Sequence, residues 1–240
     1  MPDSMPVVLP ALKPAPPADS SDVAVIERAA ADVLVDGVPS AAAEPGARKR
    51  PKPGERRVQI LQTLAAMLEE PGAERITTAA LAARLEVSEA ALYRHFASKA
   101  QMFEGLIEFI EASVFTLVRQ ITEREADGRV QAARTLALLL QFGEKNPGMT
   151  RVMVGDALVF EHERLSARMN QFFDRIESQL RVSLRLAADA AGSTTPTVDA
   201  SVLASVLVSF AQGRLQRYTR SGFKRSPAEH LDPALALLLG

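Results

Sequence analysis

The stretch Thr77–His95, TTAALAARLEVSEAALYRH, constrains the fold more than any other part of this 240-residue chain. It holds two short helical patterns joined by a tight connection at Leu85-Glu86-Val87-Ser88. The first carries Ala79, Ala80, Ala82 and Ala83 beside Leu81 and Leu85, so it can pack closely against a neighbour. Ser88 suits the N-cap of the second, because its hydroxyl can accept from an early helix N–H. After it, Ala91 and Leu92 are expected to face a core, with Glu89, Ala90, Tyr93, Arg94 and His95 mostly outward. Two helices joined this tightly form either an ordinary core corner or a helix-turn-helix whose second helix enters the major groove of DNA. On the second reading, small Ala90 and Ala91 let the backbone approach bases, while Tyr93, Arg94 and His95 offer donors to phosphates.

Charge separates the two readings. The whole chain carries a net charge of -1. Residues 1–47 hold seven acidic and two basic side chains, a net -5. Residues 48–99 hold ten basic and six acidic ones, a net +4, and the remainder is neutral. The positive charge thus gathers around the helix pair, where phosphates would meet it. Arg48, Lys49, Arg50, Lys52, Arg56 and Arg57 form the densest part. A basic run can be a solvated face, but directly before a helix-turn-helix it reads as an arm along phosphates or a minor groove.

Residues 1–53 contain ten of the fifteen prolines and read as a disordered tail. Within it, Val23, Ile26, Ala30, Val33 and Leu34 recur at helical spacing between Asp22 and Val35. Glu55–Glu70 is predicted as the first helix, with Val58, Leu61, Leu64, Ala65 and Leu68 as its apolar stripe and Pro71-Gly72 as its stop. Ser98 and Gln101 fit a capping box ahead of a long helix to about Glu125. Its stripe is Phe103, Leu106, Ile107, Ile110, Val114, Leu117, Val118 and Ile121. Further helices are expected over Arg129–Lys145, Met149–Phe160, Glu161–Ala190, Val198–Arg220 and Pro227–Leu239. No strand pattern appears, so the fold class is all-α. The expected divisions are a tail over 1–53, a DNA-binding unit over 54–99 and a helical domain over 100–240.

The chemistry of catalysis is missing. There is no Cys, which removes disulfides, thiolate metal sites and Cys nucleophiles. The histidines stand at positions 95, 162 and 230 without ligand-spaced partners, and Glu161-His162-Glu163 reads as a solvated helix face. No phosphate loop, nucleotide-binding glycine pattern, nucleophile elbow or zinc-helix motif occurs. Neither an enzyme nor a metal or other cofactor is expected. No apolar run approaches the ~18 residues of a membrane span, and no secretory pattern opens the chain, so a soluble cytoplasmic protein is the expectation.

The run Ile76-Thr77-Thr78 through Leu81-Ala82, with Val87-Ser88 and Leu92-Tyr93-Arg94-His95-Phe96-Ala97-Ser98-Lys99, resembles the N-terminal domain of TetR-type regulators. The resemblance covers roughly Arg56 to the C-terminus. It implies an N-terminal three-helix reader of palindromic double-stranded DNA and a helical domain that dimerises. With the helix pattern and the charge, it makes Thr77, Thr78, Ser88, Glu89, Ala90, Ala91, Tyr93, Arg94, His95 and Lys99 the expected DNA surface, assisted by Arg48 to Arg57. It also implies a two-fold dimer through the two long late helices, at Phe172, Phe173, Ile176, Leu180, Leu203, Val206, Leu207, Phe210 and Gly213. Both helices look too apolar to bury only one face, although an intrachain core would account for the same pattern.

Two functions fit such a domain. The blocks Phe142–Arg151, Ala157-Leu158 and Leu106–Glu111 resemble the nucleoid-occlusion branch of the family, which restrains division-ring assembly over the chromosome by contacting FtsZ. The alternative is a ligand-responsive repressor, which needs an internal cavity with polar anchors. Gln141 departs from the branch, where Gly is familiar, as does the Pro-rich extension. Met102 and Phe109 share a face beyond the apolar stripe of their helix. Leu138 and Lys145 project from nearly the opposite side of theirs to its core stripe, Ala132, Leu136, Leu139, Leu140 and Gly143. The branch resemblance turns Phe109, Leu138, Lys145 and Asn146 into the expected contacts for the FtsZ C-terminal tail.

Overall fold

Glu55–Glu69 forms α1 in a computed structural model that describes residues 55–70 and 75–240. The Pro-rich stretch, the cations Arg48, Lys49, Arg50 and Lys52, and the Pro71-Gly72 stop lie outside the described residues. Ile60, Leu64 and Leu68, spaced by four, carry the buried stripe of α1 with Ala65 beside them. Val58, expected in that stripe, is exposed, and Ile60 takes its place. The core is entered two residues later than the sequence reading had it.

Thr78–Arg84 (α2) and Glu89–Tyr93 (α3) make the short pair. Thr77 caps α2 by accepting from the Ala80 N–H at 3.1 Å, and Ser88 caps α3 by accepting from the Ala91 N–H at 3.3 Å. The turn between them is built on Glu86, which has φ 54. The Glu86 N–H donates to the Ala83 carbonyl and the Val87 N–H to the Ala82 carbonyl, a Schellman stop with a left-handed residue at its centre. Glycine is the usual occupant of that position, which is why the turn type was not legible beforehand.

Lys99–Arg124 is α4. The Ser98 hydroxyl accepts from the Gln101 N–H at 3.2 Å, and the Gln101 amide oxygen accepts in return from the Ala97 N–H at 2.8 Å. The reciprocal bond of the expected capping box therefore lands one residue earlier than the cap itself. All of the expected stripe on α4 is buried except the half-buried Ile121, and Met102 joins it. Met102, expected on an outer face with Phe109, is therefore a core residue.

Gly128–Lys145 (α5) starts at Asp127, whose carboxylate accepts from the Arg129 and Val130 N–H groups. It packs against α4 and against four later helices: Pro147–Met153 (α6), Glu163–Ala190 (α7), Pro196–Arg220 (α8) and Leu231–Leu239 (α9). A helix surrounded on that many sides has no outer face along most of its length. The helix expected over Met149–Phe160 is instead α6 followed, after Gly155 at φ 85, by a 3-10 turn at Asp156–Leu158. The left-handed glycine stops α6 and redirects the chain into α7.

α7 and α8 form the largest helix–helix contact, a long hairpin closed by residues 191–195. Ser193 and Thr195 each donate a hydroxyl to the Asp199 carboxylate, fixing the entry to α8. By length and composition α8 could cross a membrane, contrary to the expectation that no stretch is apolar enough. Its Ala200, Ala204, Leu207, Val208, Ala211 and Leu215 are used in the helical core. α1 packs on α2, α4 and α6, so it ties the short pair to the helical domain. At the α1–α6 crossing a Cβ on Gly148 would lie 2.0 Å from the Ala65 carbonyl oxygen, a distance only glycine avoids.

Candidate nucleic-acid interface

Thr77, Ser88, Glu89, Ala90, Tyr93, Arg94 and His95 are exposed on one end of the molecule, around α3. Ala91 and Thr78 are half-buried, and Leu92 and Phe96 anchor α3 from below at 1% exposure. The sequence periodicity therefore divided α3 into its two faces, with Ala91 on the border. Tyr93 stands 46% exposed, with its ring and hydroxyl open to solvent beside Arg94 and His95.

The surface is held in shape by side chains that sequence spacing had assigned to DNA. The Arg57 guanidinium stacks over the Phe96 ring at 4.2 Å and donates to the His95 carbonyl at 2.8 Å, tying α1 to the end of α3. Arg56 donates to the Gln59 amide within α1. Thr78 Oγ1 donates to Glu89 Oε2 at 2.6 Å, joining α2 to α3 across the turn. Lys99, at the start of α4, is ion-paired with Glu161 and is not simply presented to solvent. Arg84 pairs with Glu70.

The Lys99–Glu161 pair opens a ladder between α4 and the N-terminal half of α7. Arg164 reaches Glu104 at 2.8 Å, Arg168 reaches Glu111 at 2.6 Å, and Arg175 lies over the Phe115 ring at 3.9 Å. The hydrogen bond to Glu111 outweighs burial and raises the Arg168 pKa above the usual guanidinium value, so this charge stays on. The ladder ties the reading end to the long hairpin.

The expected partner and dimer residues fare unevenly. Leu138 is fully buried, so it cannot be an outward contact on α5. The neighbours on several sides of α5 overturn the single-stripe reading there. Phe109 is half-buried on α4, Lys145 is exposed, and the Asn146 amide donates to the Phe142 carbonyl at 2.8 Å. On the hairpin, Phe172, Phe173, Ile176, Leu180 and Leu207 are buried within their own chain, so they are core residues rather than an interface. Leu203 and Phe210 are half-buried, and Val206 and Gly213 are exposed. The apolar face left open is a different one: Val182 and Leu186 on α7 with Val198, Val202 and Val206 on α8. The four-residue spacing of Val198, Val202 and Val206 was the signal that could have found it.

A model of the "Bacterial regulatory proteins, tetR family" matches residues 60–106, and one described as "Tetracyclin repressor-like, C-terminal domain" (SlmA-like) matches residues 126–239. Nucleoid occlusion factor SlmA of Photobacterium profundum is 54% identical over 184 residues, covering 76% of this chain and 93% of that protein. SlmA of Idiomarina loihiensis is 53% identical over 177 residues, 74% of this chain and 90% of its own. The chain belongs to the SlmA family of TetR-type proteins. Among solved structures, the fatty acid degradation regulator FadR from Bacillus halodurans superimposes with a TM-score of 0.66 at 14% identity, covering 80% of this chain and 97% of that one. A TetR transcription regulator from Haloarcula marismortui gives 0.64 at 18% identity, covering 77% and 96%. These two share the fold.

Proposed function

We propose that this protein is a nucleoid occlusion factor: it binds double-stranded DNA as a two-fold dimer in the cytoplasm and restrains FtsZ ring assembly over the chromosome. The observation that carries the reading is a helix-turn-helix, with a polar α3 face and an exposed tyrosine, in a chain about half identical to proteins named for that activity. On this reading residues 54–99 read DNA and residues 100–240 dimerise and contact the partner, while the 1–53 tail carries the basic arm at its end. The second copy covers Val182, Leu186, Val198, Val202 and Val206, which two neighbouring helices present together. Phe109, Lys145 and Asn146 remain the proposed contacts for the FtsZ tail, now without Leu138.

A ligand-responsive repressor would use a cavity. The groove of about 440 Å³ between Met153–Gly155, α7 and α8 is open on one side and lined by Ser166, Asn170, Gln212 and Gln216 among others. The core around α5 is filled. Mapping of bound sites across the chromosome tests the choice. Sites spread widely but sparse near the replication terminus support occlusion; one or two promoter sites beside its own gene would support a repressor.

A further inference from the structure

Residues 55–99 carry six basic and six acidic side chains, so the folded reading unit itself has no excess positive charge. The surplus of residues 48–99 is supplied by Arg48, Lys49, Arg50 and Lys52, ahead of α1. The surplus positive charge open to phosphates therefore lies in the segment ahead of α1 rather than in a net charge of the face around α3. One carboxylate, Glu89, sits in the middle of that face, beside Ser88 and Ala90 and one turn before Tyr93. Against phosphates it would be repelled. A carboxylate on a surface meant for DNA is tolerated where it meets a donor, and on the major-groove edges of the bases only the exocyclic amino groups donate: N4 of cytosine and N6 of adenine.

We infer that Glu89, held by Thr78, is a specificity-determining residue that reads an exocyclic amino group in the major groove, cytosine N4 first. The inference rests on the DNA-binding reading above. The geometry suits the task. Thr78 is half-buried on α2, and its hydroxyl fixes Oε2 of Glu89 at 2.6 Å from the neighbouring helix. The carboxylate is thus set in one orientation before DNA arrives, with Oε1 left to accept from a base. Ala90 adds no bulk beyond its methyl group, so α3 can approach closely enough for that contact. Guanine, with N7 and O6 as acceptors, and thymine, with O4 and a methyl group, offer this carboxylate nothing. Glu89 therefore acts chiefly by exclusion, lowering the affinity for wrong bases rather than raising it for all DNA.

The test is selection of bound duplexes from a random pool by the full chain, repeated with Glu89→Ala, Glu89→Gln and Thr78→Val. The wild type is expected to fix one base pair in each half-site that Glu89→Ala reads about tenfold less sharply, while affinity for unrelated duplexes rises and the salt slope is unchanged. In Glu89→Gln the same position should turn from cytosine to adenine, because an amide pairs with adenine N6 and N7. If adenine is preferred already in the wild type, the amino group being read is N6. Thr78→Val should blur the same position more mildly. Identical motifs from wild type and Glu89→Ala, with DNA binding intact, would overturn the inference and leave Glu89 as a structural tie to Thr78. A wild type that enriches no motif would instead overturn the DNA-binding reading beneath it.

Discussion

α5 and the α7–α8 hairpin look alike as sequence and behave differently in the structure. Both are rich in Leu, Val and Ala at helical spacing. α5 is covered by α4, α6, α7, α8 and α9, so even Leu138, off the main stripe, is fully buried. The hairpin buries one face in the same core and leaves Val182, Leu186, Val198, Val202 and Val206 open, with Val202 at 60% exposure. Apolar periodicity reports that a face leaves water; it does not report which chain covers it. Surplus apolar residues on the central helix are answered by more neighbours, and those on the peripheral hairpin stay open within the protomer.

The largest expected effect probes the core side of this contrast. Leu207→Asp places an unpaired carboxylate where the wild-type side chain is fully buried, and Leu138→Ala opens a cavity beside α5. The first should prevent folding at 37 °C, and the second should lower stability by about 2–5 kcal/mol. Circular dichroism melts check both. A Leu138→Ala variant that folds with unchanged stability but no longer binds an FtsZ tail peptide would return Leu138 to the surface.

The open side is probed by Val202→Glu with Val206→Glu. Both side chains are exposed in the protomer, so the variant should keep its helical spectrum and melt as a folded chain. Light scattering at micromolar concentration is expected to find monomers, and affinity for a palindromic duplex should fall by at least tenfold as the two half-sites lose their link. A dimer with unchanged mass would place the interface elsewhere.

The two regions were not equally legible. On α7, the run Leu165, Met169, Phe172, Phe173, Ile176, Leu180 and Leu184 gives a sharp stripe, and all of it is buried. On α8 apolar residues occur on more than one face, so spacing alone does not separate Val202 and Val206, which are exposed, from Ala200, Ala204, Leu207 and Ala211, which are buried. Small alanines carried the core there, and alanine is a weak signal in any pattern. At the reading end Ser88, Leu92 and the exposed residues around α3 followed from capping and spacing, because both are local rules. Arg57 on Phe96, Lys99 on Glu161 and Thr78 on Glu89 were invisible, since each joins residues brought together only by the fold. Gly155 ended α6 early for a reason that spacing could not weigh: its φ of 85.

A smaller effect is expected at the joint between the two parts. Gly148→Ala puts a methyl group against the Ala65 carbonyl, and the crossing of α6 over α1 must open to admit it. Strain of this kind costs about 1–3 kcal/mol. The melt should shift down accordingly. Because α1 braces α2 and α4, DNA affinity should fall more than partner-peptide affinity does. Equal loss of both would mean that α6 supports the whole fold rather than the reading end in particular.

The smallest effect concerns Lys99, which is partly exposed and paired with Glu161 at the start of the α4–α7 ladder. The pair is part-buried, with the Glu161 side chain at 9% exposure, and glutamine keeps an acceptor for the ammonium, so Glu161→Gln should lower stability by about 1 kcal/mol. Its consequence lies in what it releases. Lys99 occupies the first turn of α4, close in sequence to α3, and on the proposed DNA-binding reading Glu161 would compete with phosphate for its ammonium. Removing that carboxylate should strengthen DNA binding about two- to fivefold at low salt and make the dependence on salt steeper, as one more cation per protomer engages phosphate. Lys99→Ala should do the reverse, and the double variant should match Lys99→Ala alone. Fluorescence anisotropy across a salt series measures all three. If Glu161→Gln left both affinity and slope where they were, Lys99 would be a strut between α4 and α7, and the α4–α7 ladder would be structural from end to end.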